Sequence, residues 1–300
     1  MWVRVMPVRL RLCFPVMTVE LRHLRAFLTI AEEGSITRAA GRLRVTQPAL
    51  SRTLRQLEDH LGIRLVDRST HHLHLTPAGR SLRDRAAAAV AAVDDVLDPG
   101  YAAGRPLRLG HAWSALGGHT VTLLRRWRSA HPDTPLELLR IDDRTAGLAR
   151  GAVDVAVLRQ PVDLPDVRTV RLLTEPRLAT VPADSPLVER AVLTLADLID
   201  QPIAVNTATG TTTLGLWPAG AAPATVVPVA NTDDWLAAIS AGRAVGVTTS
   251  ATAAMYPTPA VAYRPLTDAP EVTVLLAWRH PPRHPGVADL VALAHEVVAA

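Results

Sequence analysis

Residues 46–61 carry hydrogen-bonding side chains on one face of a predicted helix. At about 100° per residue, Leu50, Leu54, Leu57 and Leu61 form one stripe, and Pro48, Arg52, Arg55 and Asp59 form the opposite one. Thr46 reads as the N-cap, with Gln47 and Pro48 in a first turn whose missing N–H bonds make proline tolerable. Gln can pair with adenine N6/N7 and Arg with guanine O6/N7, each good contact being worth roughly 1–3 kcal/mol of discrimination. Gln47, Ser51 and Arg52 thus have the chemistry of base-edge recognition, and Arg55 that of a phosphate clamp. Thr37 and Arg38, one predicted helix earlier, are candidates for further backbone contacts, although ordinary solvated side chains would look the same.

A second polar group lies much later in the chain. Trp113-Ser114 follows a predicted strand ending at Leu109-Gly110, and Asn206-Thr207 through Thr209-Gly210-Thr211-Thr212 follows the strand 203–205. Ligands of open α/β lobes bind beyond the carboxyl ends of strands. Hydroxyls and free amides at a helix start there suit a carboxylate or other oxyanion, with Thr248 as a third side. A Thr-rich surface loop is the plainer alternative.

The elements that must hold these groups are legible in the pattern. Leu21, Leu24, Phe27, Leu28 and Ala31 recur at helical spacing; Gly34 stops that helix and Ser35 caps the next, 36–43, whose Ala39-Ala40 allows the close crossing of a helix-turn-helix. Residues 64–68 and 72–75 read as the strands of a hairpin wing. Thr76-Pro77 opens a helix on which Leu82, Ala86, Ala89, Val93 and Val96 form a heptad seam, predicting a two-fold dimer that selects an interrupted inverted repeat. From Leu107 strands alternate with helices, including one near 145–150; this is βαβ logic and predicts parallel sheet in two lobes.

Ala39-Ala40, Val45-Thr46-Gln47-Pro48-Ala49-Leu50-Ser51-Arg52, Leu57-Glu58, Leu61-Gly62 and Leu65 together resemble the DNA-binding signature of the LysR family of transcriptional regulators. The stretches 107–110, 148–157 and 241–247 resemble the effector domain of that family, which is similar to type 2 periplasmic binding proteins. The resemblance implies a winged helix-turn-helix DNA-binding domain, a long linker helix and a two-lobed α/β effector domain. It also implies that Arg68 is the wing arginine that enters a minor groove, and that Trp113, Ser114, Asn206, Thr207, Thr209, Gly210 and Thr211 match positions that hold an effector. Trp113 and the Gly117-Gly118 pair depart from the more polar family pattern, so the effector chemistry is expected to differ. The expected limits are an N-terminal extension at 1–17, the DNA-binding domain at 18–76, the linker helix at 77–98, a hinge at 99–106 and the effector domain at 107–300. Expected partners are double-stranded DNA, a small-molecule effector with anions among the candidates, a second copy in a homodimer or dimer of dimers, and RNA polymerase.

Composition narrows the alternatives. With 48% hydrophobic and 20% charged residues the chain is a folded protein, and no run reaches the roughly 18–20 apolar residues of a membrane span. Arg4, Arg9 and Arg11 among apolar residues hint at a signal peptide, but no small-residue cleavage site follows, and a start at Met17 accounts for them better. Cys13 is the only cysteine, in keeping with a cytoplasmic protein. Residues 18–85 hold twelve Arg against seven acidic side chains, whereas 86–300 hold seventeen against twenty-one, as in a nucleic-acid binder joined to a module with another task. His71, His72 and His74 lack companions to complete a metal site, and no cofactor is expected. No Gly-x-Ser-x-Gly elbow, Walker loop, dinucleotide fingerprint or His-Glu-x-x-His motif supports an enzyme. An exported solute-binding protein would lack the basic helix-turn-helix.

Overall fold

The structure is a computed structural model that describes residues 19–67, 73–97 and 104–300. Its chain divides into two compact units, Met1–Val90 and Ala91–Ala300.

In the first unit, helices α1 (Leu21–Glu33), α2 (Ile36–Leu43) and α3 (Gln47–Leu61) start and stop where local chemistry dictates. Gly34 ends α1 at φ 57°, Ser35 accepts from the Arg38 N–H, Thr46 accepts from the Ala49 N–H, and Gly62 ends α3 at φ 67°. Phe27, Ile30, Ala39, Ala40, Leu50, Leu54 and Leu57 close the core between them. Leu61, expected on this stripe, is instead 38% exposed, at the last position of α3. Strands β1 (Val66–Asp67) and β2 (His74–Leu75) pair antiparallel, with Val66 opposite Leu75. Glu58, itself buried, anchors this hairpin to α3: its carboxylate accepts from the N–H groups of Leu65 at 2.8 Å and Val66 at 3.2 Å and pairs with Arg64 at 3.1 Å. Helix α4 (Pro77–Leu97) begins at Thr76, whose hydroxyl accepts from the Gly79 N–H. Gly79 lies so close to β1 that a Cβ there would stand 2.1 Å from the Leu65 carbonyl oxygen. Leu82 and Ala86 join the core, whereas Val93, Val96 and Leu97 further along α4 are exposed at 37%, 77% and 68%.

The second unit holds two five-stranded sheets. The first, in order β4-β3-β5-β12-β6, consists of β3 (Leu107–His111), β4 (Leu136–Arg140), β5 (Val155–Leu158), β6 (Val167–Glu175) and β12 (Val272–Arg279). Helices α5 (Thr120–Ala130) and α8 (Val287–Ala299) cover it, burying Leu109, Leu123, Trp127, Val157, Leu276 and Leu290. The second sheet, β11-β7-β10-β8-β9, is built from β7 (Arg177–Pro182), β8 (Ile203–Asn206), β9 (Val226–Val229), β10 (Val245–Thr249) and β11 (Val261–Pro265), with α6 (Thr232–Ser240) and α7 (Ser250–Met255).

Both sheets are mixed, not parallel throughout. Strand β3 is parallel to β4 and β5, and β8 to β9 and β10, but β12 is antiparallel to β5 and β6, and β7 to β10 and β11. The reason is connectivity. The chain leaves the first sheet after β6, builds the second, and returns as β12, inserting between strands already laid down. Nor is 145–150 helical: it is a series of turns with left-handed backbone at Ala146 (φ 48°), Gly147 (φ 87°) and Gly151 (φ 70°).

Candidate DNA-binding surface and effector cleft

The exposed face of α3 assembles from the start of the helix outward. Thr46, Gln47 and Pro48 are exposed in its first turn, and the Gln47 Nε2 donates to the Ser51 hydroxyl at 3.0 Å. Arg52 and Arg55 follow on the same face, exposed and without an ion pair among the described residues. Thr37 and Arg38 lie exposed at the start of α2, but Arg38 is engaged, donating to the Glu33 carbonyl and standing 3.7 Å from its carboxylate. Arg42 is likewise tied to Glu32 at 2.8 Å and Glu33 at 3.2 Å, and its pKa is raised by those carboxylates. Arg52 and Arg55, which the spacing singled out, are thus uncommitted among the described residues, as are Arg44 and Arg85 elsewhere in this unit. Arg68, with His71 and His72, lies outside the described residues.

In the second unit the polar residues after β3, β5, β8 and β10 meet where the two sheets face one another. Trp113 donates from Nε1 to the Thr209 carbonyl at 3.1 Å, Gln160 from Nε2 to the Gly210 carbonyl at 2.8 Å, and Arg140 pairs with Asp233 at 2.8 Å. A cavity of about 30 Å³ has Trp113, Asn206, Gly210, Thr211 and Thr248 in its wall; a second of about 20 Å³ has Trp113 and Thr209. Ser114 lines neither but joins through Thr252, whose hydroxyl is 3.4 Å from that of Ser114 and 2.7 Å from that of Thr248. Thr207 is exposed and belongs to neither cavity.

The expected helix start is absent from this loop, and its amides from Thr207 to Gly210 are engaged, whereas those of Thr211 and Thr212 donate to no acceptor among the described residues. The Asn206 side chain accepts from the N–H groups of Ala208 and Thr209, its carbonyl from Gly210, and the Val229 carbonyl from Thr207. A turn, then a short 3-10 segment at Leu214–Leu216, stands where a helix was expected. Asparagine's capacity to bond backbone two and three residues ahead outcompetes helix formation there.

Several residues of the cleft went unnoticed in the sequence. Arg159 and Glu175, with side chains 3% and 5% exposed, form a bidentate pair at 2.8 Å for each bond. Arg159 also donates to the carbonyls of Trp113 (3.1 Å) and Ala115 (2.9 Å), gripping a loop in which Ser114 (φ 54°) and Ala115 (φ 37°) are both left-handed. Arg177 holds Thr211 through its carbonyl at 3.1 Å and hydroxyl at 3.3 Å, and burial lowers its pKa. Trp235 packs against Gly246, where a Cβ would meet its ring at 2.1 Å, and walls the larger cavity with Thr232, Val247 and the already expected Thr212. Arg159 follows β5 directly, so the strand-end rule that pointed to Trp113 reaches it too.

His111, at the end of β3, is buried with no hydrogen-bond partner for Nδ1. Burial, reinforced by the charges of Arg159 and Arg140 and opposed by Asp142, lowers its pKa from 6.5 to about 4. A depressed pKa favours the neutral ring in the folded state, so its contribution is complete above about pH 6.5 and is lost as the pH falls through about 4. Stability of this unit is expected to drop by on the order of 2 kcal/mol across that window, after allowance for solvent screening. Urea titrations at several pH values check this: His111→Gln should flatten the curve, and an equally steep one excludes His111 as its source.

A helix-turn-helix with an open α3 face is thus followed in the same chain by a two-lobed α/β unit with polar residues between its sheets. Residues 21–80 match the family described as bacterial regulatory helix-turn-helix protein, lysR family, and residues 102–299 match the LysR substrate binding domain. The chain belongs to the LysR family. It is 32% identical over 192 residues to BenM, an HTH-type transcriptional regulator of Acinetobacter baylyi, an alignment covering 62% of this chain and 63% of BenM. That span is just under two thirds of the relative's length. HcaR, the Hca operon transcriptional activator of Escherichia coli K12, is 28% identical over 294 residues, covering 94% of this chain and 99% of HcaR. Among solved structures, full-length BenM superposes with a TM-score of 0.55 at 26% identity over 94% of this chain and 97% of that one. CbnR in complex with its target DNA shares the fold, with a TM-score of 0.62 at 23% identity over 93% of this chain and all of CbnR. Among the described residues no helix is long and apolar enough to cross a membrane.

Proposed function

We propose that this protein is a sequence-specific DNA-binding transcription regulator whose activity is modulated by a small molecule bound between the two lobes of its second unit. The observation that carries the reading is the pair of uncommitted arginines, Arg52 and Arg55, on the exposed face of α3, in a chain that also holds a two-lobed cleft. Gln47, Ser51 and Arg52 meet base edges; Thr37, Arg38, Thr46, Pro48 and Arg55 line the phosphate backbone, and Arg68 enters the minor groove from the wing. The residues of the cleft around Trp113, Asn206, Thr209, Gly210, Thr211 and Thr248 form the effector site. The protein works without catalysis, in the cytoplasm.

The proposed domain limits are 18–76 for DNA binding, 77–98 for the linker helix, 99–106 for the hinge and 107–300 for effector binding. Exposed Val93, Val96 and Leu97 on α4 support pairing with a second copy as a dimer, or a dimer of dimers, on an interrupted inverted repeat. Effector binding then shifts the spacing or bend of the DNA half-sites, with a coupling of about 1–3 kcal/mol, and the change is read by RNA polymerase.

Selection of genomic fragments by the full chain, followed by gel shifts at two salt concentrations, tests the reading. The expected result is retention of an interrupted inverted repeat with strong salt dependence. Sequence-indifferent binding would overturn it. Arg52→Ala should weaken binding to the selected fragment by about 1–3 kcal/mol while changing binding to random DNA far less. Equal losses on both would reassign Arg52 to the phosphates.

A further inference from the structure

The effector cleft is already occupied by a side chain of the protein itself. Trp113, 6% exposed, spans the cleft through its bond to the Thr209 carbonyl and lies with its ring centre 4.3 Å from the guanidinium carbon of Arg159. Trp113 lines both the cavity of about 30 Å³ and that of about 20 Å³. Each has room for water, which needs roughly 10–15 Å³, but pockets for small molecules measure roughly 300–1,000 Å³. In this arrangement of the lobes, a ring-sized ligand finds room where the indole leaves.

What the indole leaves behind defines its replacement. Arg159 has its Nε and Nη2 on Glu175, its Nη1 on the Trp113 carbonyl and Nη2 also on that of Ala115, so its charge is balanced and four of its five in-plane donors are committed. Its flat face remains, and a guanidinium face selects an aromatic ring. The Thr209 carbonyl loses its donor and requires another, because a buried unpaired acceptor is costly. An oxyanion, by contrast, finds the loop amides of Thr207, Ala208, Thr209 and Gly210 engaged and is left with those of Thr211 and Thr212 alone, which is why an aromatic anion is one of the probes below.

We propose that Trp113 is an internal surrogate ligand, and that the effector is a flat aromatic molecule of about indole size with an N–H or O–H donor on its edge, which displaces the Trp113 side chain, stacks on Arg159 and donates to the Thr209 carbonyl. The proposal rests on the reading of the cleft as the effector site.

Three probes test it on the full chain: indole, 1-methylindole, which lacks the donor, and benzoate, an aromatic anion. In proton–nitrogen spectra the protein's six tryptophans give six indole signals, and that of Trp113 is identified by its absence in Trp113→Phe. Millimolar indole is expected to shift the Trp113 signal, while 1-methylindole and benzoate leave it in place. In Trp113→Ala, indole should raise the melting temperature and bind about tenfold more tightly than 1-methylindole, with no response to benzoate. A response to benzoate equal to that of indole assigns the cleft to anions and overturns the proposal. So does indifference of the Trp113 signal to all three probes combined with no rescue of Trp113→Ala. The DNA reading fails separately: loss of specific DNA retention with the indole response intact removes the regulator and leaves the pocket chemistry standing.

Discussion

Replacing Glu175 with alanine is expected to destabilise the C-terminal unit by about 3–5 kcal/mol, the loss typical when one partner of a buried ion pair is removed and the other stays charged. Arg159 is the charge left behind, with its side chain 3% exposed. Its task goes beyond pairing. By donating to the carbonyls of Trp113 and Ala115 it holds Ser114 and Ala115 in left-handed backbone, a conformation that costs of order 1–3 kcal/mol per non-glycine residue. Release of Arg159 therefore also frees the loop that carries Trp113 into the cleft. Urea unfolding of Glu175→Ala and of the Arg159→Met/Glu175→Met double variant measures both parts. The double variant, with no stranded charge, should recover most of the loss in the single one, and a single-variant loss below about 1 kcal/mol would show that Arg159 is solvated in the folded protein.

Phe27→Ala should cost the N-terminal unit about 3–5 kcal/mol, since the ring is fully buried and helices this short have little else to hold them. Phe27 lies in the core with Ala39, Ala40 and Leu54, and its removal leaves α3 without the surface that sets its angle. Such a loss is a large share of the 5–15 kcal/mol that usually stabilises a domain. Hydrogen exchange localises the effect: amides of residues 21–61 should lose protection while those of β3, β5 and β12 keep theirs, and specific DNA retention should fall in parallel. Unchanged protection in α1 and α3 would mean that the core closes around the smaller side chain.

The N-terminal module was legible because its signals are local. A helix is capped and stopped by residues within one turn of its ends, so Gly34, Ser35 and Thr46 could be read directly, as could the exposed face carrying Arg52 and Arg55. Leu61, at the last position of α3, escaped the rule because helical period sets its stripe but not its burial. The segment 145–150 failed for a related reason. Thr145, Leu148 and Ala149 suit a helix, but here the Asp143 carboxylate gathers the N–H groups of Thr145 and Gly147 into turns, and the Ala146 carbonyl lies 2.2 Å from where a Cβ on Gly110 would be. Contact with the sheet outweighed local preference.

By itself the sequence determined that a helix-turn-helix with an open, arginine-bearing face precedes an alternating α/β unit, and which strand ends would carry polar groups. These follow from periodicity and capping, which act over about four residues. Only the tertiary structure decided strand direction, the burial of Arg159 against Glu175, and the filling of the cleft by Trp113. Those depend on segments far apart in the chain, such as Trp113 and Thr209, separated by 96 positions. Solvent exclusion and hydrogen-bond pairing at such distances are set by how whole sheets meet, a quantity that no local pattern of residues contains.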